Sequence, residues 1–437
     1  MAAQALPSDD KCGKRNQPCH PTLPEHEPST SKSPWRTVDA TGIIPEQSCE
    51  ETLNAPPSAG RHSRGTWEGS EAHSTMDLDF MLVAGTRPNF VKLAPLYRAL
   101  AARKGPRLMI THTGQHYDHA MSGSFFEELG VPEPEVNLEV GTGSHAQQTA
   151  GIMVRFERLL DSHTPRWVVV FGDVNSTIAC ALVAAKAGVP IAHVEAGLRS
   201  GDWTMPEEIN RVLTDRLSDR LYAPSRDACE NLVHEGISTE RVRLVGNIMV
   251  DTLRAQLPTI DHATLLREYE IKARHYVLVT LHRPSNVDHP DTLRQLWTAM
   301  QEAGRREPVL FPAHPRTRSR AVEFELPPAT AGFRLLGPLP YRTFLGLMAN
   351  ARVVVTDSGG VQEETTALGV PCVTARLNTE RPITVIEGTN RLVRPHASSL
   401  LEALAQADGR RGRIPELWDG QTAERIAADL LEASSGA

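Results

Sequence analysis

The stretch WVVVFGDVNSTIACALVAAKAGVPIAHVEAG (167–197) decides the fold. It opens on a short apolar run that ends at Gly172 and Asp173. STIACALVAAKAG (176–188) follows with Ala-rich helical spacing, and IAHVEAG (191–197) is a second apolar run carrying Glu195 at its end. Continuous apolar strands joined through a helix imply a parallel sheet, because the crossover helix must cover a sheet face. The alternation extends outward in both directions. FMLVAG (80–85), RLMITH (107–112), RLYAPS (220–225) and VRLVGN (242–247) complete a first set of buried strands. Near residues 256–274 the chain turns charged and the strand pattern lapses. It restarts with YVLVTL (276–281), PVLFPA (308–313), FRLLGP (333–338), RVVVTDS (352–358), VPCVTA (370–375) and NRLV (390–393). The expectation is an α/β protein of two doubly wound domains, residues 76–256 and 257–420, facing a shared cleft. Ligands of such sheets bind beyond the carboxyl ends of the strands, where the polar motifs of this chain lie. The last helical stretch, within residues 421–437, is a candidate to pack back on the first domain.

Bulk properties exclude several classes. A formal net charge of -7 over 437 residues argues against a dedicated nucleic-acid binder. No apolar run approaches the roughly 18 residues that a membrane span needs, and the N-terminus lacks an apolar signal core. The expectation is a cytoplasmic protein with no nucleic-acid or membrane partner. Residues 1–75 are rich in Pro, Ser, Thr, Glu and His and too poor in apolar positions to offset the entropy of ordering. They are expected to be a disordered tail without assigned function. Met76, just before the first strand, is a candidate translation start. Cys12, Cys19 and His20 have no second ligand pair at a zinc-finger spacing, so no metal is expected.

The chemistry-bearing residues cluster at strand ends. In AGTRPNFVK (84–92), Gly85 permits a tight turn and Pro88 suits the first turn of a helix, which leaves Arg87 beside a positive helix end. TDSGGVQEE (356–364) repeats the plan in the second domain. Ser358, Gly359 and Gly360 let backbone N–H groups approach a phosphate, and Glu364 lies about one helical turn later, where it can accept from a ribose diol. Neither GxGxxG nor Walker A is present, which weighs against NAD and ATP. FGDVNST (171–177), HVEAGLRSGD (193–202) and MPEEINR (205–211) bring Asp173, Glu195 and Glu207 from separate loops, so three carboxylates can converge on one sugar. Taken alone, Glu207 and Arg211 read as an i,i+4 helix pair. TLHRPSNVD (280–288) and FPAHPRTR (311–318) end two strands with His282 and His314, each followed within two residues by arginine. Histidine there suits proton transfer or a phosphate contact.

In register, GTRPNFVK, TGQHYD, GDVNST, HVEAGLRSGD, MPEEINR, HRPSNVD, AHPRTR, TDSGGVQEE and NTERPITVIEGTN resemble the non-hydrolysing UDP-N-acetylglucosamine 2-epimerase family over residues 78–430. The resemblance implies two Rossmann-like domains in a GT-B-like arrangement, a homodimer, and no metal or other cofactor. It implies reversible conversion of UDP-GlcNAc to UDP-ManNAc through elimination of UDP to a 2-acetamidoglucal and re-addition. Motif by motif, Asp173, Glu195 and Glu207 match the family's essential acids. Arg87, Lys92, Arg211 and His282 match substrate or UDP contacts, and His282 is also a candidate for proton transfer. Ser358, Gly359, Gly360 and Glu364 match diphosphate and ribose contacts, Phe344 a residue near uracil, and Arg381 a further site residue. The chain departs from the family at Pro284 and Ser285, where many relatives carry Ala or Arg followed by Glu. It departs again at Tyr117 and Asp118, where allosterically activated relatives carry a different pair. Three alternatives stay open: a hydrolysing epimerase releasing ManNAc and UDP, an epimerase of a UDP-diacetamido-uronic acid, and a GT-B glycosyltransferase.

Overall fold

The computed structural model describes residues 76–115, 123–409 and 412–435. The tail and the Tyr117–Asp118 pair considered above lie outside the described residues. The first sheet contains β1 (Met76–Ala84), β2 (Leu108–His112), β3 (Val136–Asn137), β4 (His163–Phe171), β5 (Ile191–Val194), β6 (Arg220–Ala223) and β7 (Val242–Leu244). They are ordered β3-β2-β1-β4-β5-β6-β7, and every pair is parallel. The second sheet contains β8 (Val277–Thr280), β9 (Val309–Pro312), β10 (Phe333–Leu336), β11 (Val353–Thr356), β12 (Cys372–Ala375) and β13 (Asn390–Val393). Its order, β10-β9-β8-β11-β12-β13, repeats the first plan, again all parallel. Strand order reverses between β1 and β4 in one sheet and between β8 and β11 in the other, and a doubly wound fold opens a crevice at such points.

The apolar runs form strands because both faces are covered. Phe80, Leu82, Val169 and Phe171 enter one core while Met81, Val83, Val168 and Val170 enter another on the opposite face. The second sheet splits likewise: Val277, Val279, Val353 and Val355 face one core, and Leu278 and Val354 the other. This is the two-residue period of a strand with no solvent face. The two-residue β3 carries no apolar run of its own, and only pairing with β2 makes it a strand. The charged segment near residues 256–274 holds the helix His262–Glu268, whose N-cap Asp261 accepts from Thr264.

The helix Thr422–Ser435 belongs to the first domain's core, where Ala423, Ile426, Ala427 and Leu430 pack with Phe90 and Leu96. Asp251 accepts from Thr422 and Ala423 at 3.2 and 2.7 Å, so a buried carboxylate meets the helix start. Tyr222 donates to Asp429 at 2.8 Å farther along. Among the described residues, the cores of both domains are built from Leu78 onward. A chain beginning at Met76 is therefore expected to fold and turn over like the full chain. Circular dichroism and an activity assay check this, and a truncated chain that fails to melt cooperatively would show that the preceding residues are needed.

Candidate active site

Side chains from both domains line a cavity of about 590 Å³, among them Arg87, Lys92, Asp173, Glu207, Arg211, His282, Phe344, Ser358, Gly359, Gly360, Glu364 and Arg381. They come from the ends of β1, β4, β8 and β11, from the segments after β5 and β12, and, for Phe344, from the helix Tyr341–Asn350, so the cavity opens at both switch points. The helix Arg87–Ala101 starts at the cavity from Thr86, in a capping box with Asn89. Arg87 lies over the Phe125 ring, 5.1 Å from its centroid. One turn on, Lys92 is buried and ion-paired with Glu195.

Glu195 is only 9% exposed and sits behind the cavity wall. Lys92 holds one carboxylate oxygen, and Arg381 donates to the other at 2.9 Å. Its backbone is left-handed, with φ of 75°, a conformation that costs a non-glycine residue energy and concentrates at functional sites. Tyr222 carbonyl accepts from both Glu195 and Ala196 N–H at 3.1 Å and fixes that turn. Gly172 is left-handed as well, and a Cβ there would lie 3.0 Å from Lys92 Nζ and 3.2 Å from Glu195 Oε2. Only glycine lets the Asp173 loop approach this ion pair so closely.

Asp173 is ion-paired with Arg211. Burial pushes its carboxyl up, but Arg211, Lys92 and Arg381 outweigh burial and hold it below the usual carboxylate range. Arg211 also pairs with Glu208, three residues back, and not with Glu207. This corrects the i,i+4 expectation: the helix Pro206–Leu217 turns Glu208 inward, where it accepts from Ser200 and Gly201 N–H. Glu207 is exposed and borders the cavity.

On the opposite wall, Ser358 is the N-cap of the helix Gly359–Leu368, and the loop preceding it holds Asp357. Asp357 accepts from the backbone N–H groups of His282 and Arg283 at 3.0–3.1 Å and faces His282 Nδ1 at 3.3 Å, tying the two loops together. Glu364 accepts from the Tyr341 hydroxyl at 2.7 Å, and burial drives its pKa up to about 7. Phe344 borders the same region and packs partly against the second domain's core.

Sequence reasoning passed over the cluster around Arg381. Its guanidinium meets Glu195, Glu380 at 2.7 Å and Glu363 at 3.0 Å, so one cation joins both domains. Glu380 also pairs with Arg283 and Arg376. Burial pushes Glu380 up, yet the three arginines more than compensate and hold it well below the usual range. Burial dominates at Glu363 and drives its pKa to about 7 despite Arg381. The doublets Glu207–Glu208 and Glu363–Glu364 were the available signal, because adjacent helical residues point to different neighbours.

His314 follows the end of β9. It is exposed, does not line the cavity, and caps the helix Pro315–Glu323 by accepting from Arg316 N–H at 3.2 Å.

Two parallel sheets, each with its switch point on one acid-rich and arginine-rich cleft, define an α/β protein of GT-B-like architecture. A family profile described as UDP-N-acetylglucosamine 2-epimerase matches residues 98–431. The UDP-N-acetylglucosamine 2-epimerase of Methanocaldococcus jannaschii is 41% identical over 358 residues, covering 80% of this chain and 98% of that protein. The UDP-2,3-diacetamido-2,3-dideoxy-D-glucuronate 2-epimerase of Pseudomonas aeruginosa is 37% identical over 364 residues, covering 81% and 100%. A crystal structure of the Methanocaldococcus jannaschii UDP-GlcNAc 2-epimerase in complex with UDP-GlcNAc and UDP superposes with a TM-score of 0.75 at 40% identity, covering 82% of this chain and all of that one. The chain belongs to the UDP-N-acetylglucosamine 2-epimerase family, a family of isomerases.

Proposed function

We propose that this enzyme is a non-hydrolysing UDP-N-acetylglucosamine 2-epimerase that interconverts UDP-GlcNAc and UDP-ManNAc. The observation that carries the reading is one cavity bordered by Asp173 and Glu207 from the first domain and by Ser358–Gly360 and Glu364 from the second. One carboxylate removes the C2 proton while the C1–O bond breaks and its electron pair leaves with UDP, giving a 2-acetamidoglucal. UDP oxygen then returns to C1 as a second group protonates C2 from the opposite face. Arg87, Lys92 and the N-terminus of the Gly359–Leu368 helix offset the charge on departing UDP. Phe344 lies against uracil and Glu364 accepts from the ribose diol. The same reading takes the enzyme as a cytoplasmic homodimer, and the exposed Trp203, Ile209 and Leu213 are apolar surface suited to a second copy.

Incubating the enzyme with UDP-GlcNAc and following products by NMR tests the proposal. Appearance of UDP-ManNAc at equilibrium with substrate supports it. Free ManNAc and UDP would assign the hydrolysing reaction instead. Turnover confined to a UDP-diacetamido-uronic acid would favour the reading that the Pseudomonas relative supports.

Glu364 supplies a further expected result. The Glu364→Ala variant should bind UDP about ten- to a hundredfold more weakly, the worth of one charge-assisted hydrogen bond. Its folded pKa, about 7, lies above the ordinary 4.5. Its contribution to folding is therefore full at acid pH and lost as pH rises through about 7. Ribose hydroxyls favour the ionised form, so the part of UDP affinity that depends on Glu364 should increase over the same range. Calorimetry with wild type and variant at several pH values checks this, and equal affinities would remove Glu364 from the ribose site.

A further inference from the structure

The mechanism above leaves a fully buried histidine two residues before Glu195. His193 on β5 contacts Asp215 Oδ1 through Nδ1 at 2.7 Å and the Gly172 carbonyl through Nε2 at 2.8 Å, and neither His193 nor Asp215 is exposed. A carbonyl oxygen only accepts, so Nε2 carries the hydrogen that joins it to Gly172. Asp215 accepts in addition from Gly197 N–H at 3.1 Å and pairs with Arg199 at 2.8 Å, and Arg199 pairs with Glu235.

These contacts end on the backbone segments that carry the proposed acids. Gly172 immediately precedes Asp173 and lies against the Lys92–Glu195 pair. Gly197 closes the turn in which Glu195 is left-handed. Asp215 belongs to the helix that carries Glu207 and Arg211, spaced four residues apart along it. Arg211 holds Asp173 from that same helix. Two buried side chains thus bind the three acid-bearing segments to one another, while touching none of the three carboxylates.

We propose that His193 and Asp215 are a positioning pair for proton transfer, with the His193 Nε2–H bond to the Gly172 carbonyl setting the place of Asp173 relative to Glu195. The proposal rests on the reading of Asp173 and Glu195 as acid–base groups. Proton transfer requires groups held within hydrogen-bond reach of the reacting carbon, and a displacement of about 1 Å costs up to about a hundredfold in rate.

The test compares His193→Asn with His193→Gln in the full chain. Asn places an amide nitrogen near the position of Nδ1 and keeps Asp215, whereas Gln places one near Nε2 and keeps the Gly172 contact. The expected result is a fall of about ten- to a hundredfold in kcat per UDP-binding site for His193→Asn, with UDP affinity within about threefold of wild type, and substantial recovery in His193→Gln. Wild-type kcat in His193→Asn overturns the proposal. So does a loss that follows the melting temperature alike in both variants. Should His193→Asn fail to fold, neutron diffraction from wild-type crystals decides: a deuteron on Nε2 directed at the Gly172 carbonyl supports the proposal, and a bare Nε2 overturns it. Wild-type turnover in Asp173→Asn and Glu195→Gln would overturn the acid–base reading and the positioning pair together. Inactive amide variants beside a fully active His193→Asn would reject the positioning pair alone.

Discussion

Replacing Asp173, Glu195 or Glu207 by its amide is expected to lower kcat at least about a hundredfold, since positioned proton transfer contributes about 10²–10⁴-fold. The structure separates the three variants by a second measurement. Glu207 is exposed and takes no part in the ion pairs described above, so Glu207→Gln should lose turnover at an unchanged melting temperature. Asp173→Asn weakens the hold on Arg211, which is only 2% exposed, and Glu195→Gln weakens that on Lys92 and Arg381. Those two should lose stability as well as turnover. UDP binding should be largely kept in all three, because the proposed contacts of Ser358–Gly360 and Glu364 lie in the other domain and are left in place. In D₂O the wild type should introduce deuterium at C2 of both epimers as equilibrium is approached. Epimers without solvent deuterium would argue against proton exchange with the medium, and normal turnover in the amide variants would remove these carboxylates from the chemistry.

The second large effect is expected at Arg381. Arg381→Met removes the cation shared by Glu195, Glu363 and Glu380, none of whose side chains is more than 7% exposed. Removing one partner from a buried ion pair costs about 3–5 kcal/mol. The deficit should depend on pH with a definite sign. Glu363 already has its folded pKa raised to about 7 by burial, so its stabilising contribution is full below its ordinary 4.5 and disappears as pH rises through 7. Without Arg381 that pKa rises further and the loss deepens at higher pH. Glu380 has its pKa depressed with help from Arg381, so its contribution is present at neutral pH and shrinks in the variant. The Glu363 effect makes the variant's deficit larger near pH 8 than near pH 5, whereas that of Glu380, which is ionised throughout this range, adds a nearly constant amount. Urea unfolding of both chains across this range checks the sign. A deficit independent of pH would mean that Arg381 acts through packing, and Arg381→Lys, which keeps charge but loses the planar fork, should fall between the two.

Much of the site was legible because its residues sit where local pattern is strong. An apolar run such as VVVF (168–171) ends at Gly172–Asp173, and chain direction alone puts Asp173 at a strand's carboxyl end. The same logic places Arg87, His282 and Ser358 at strand ends. His314 follows the same local pattern at the end of β9, where it is exposed and caps the next helix. Glu363 and Glu380 escaped because each gains meaning from partners distant in sequence.

The sequence by itself determined the apolar strands of both sheets, the parallel α/β class, and the family membership carried by nine motifs in order. Those features depend on burial period and on residues adjacent along the chain. Tertiary structure decided which acid of each glutamate pair faces which neighbour, since successive helical residues diverge by about 100° and only the packing partner defines the inside. It decided that the Thr422–Ser435 helix completes the first domain's core. It also brought Glu195 to Lys92 across 103 residues and to Arg381 across 186, contacts that no local pattern encodes. The Lys92–Glu195 pair needs the first sheet assembled, and the Arg381–Glu195 pair needs the two domains together. The cleft's electrostatics therefore belong to the packing of the two domains, even though the charged residues that create them stand in plain view in the chain.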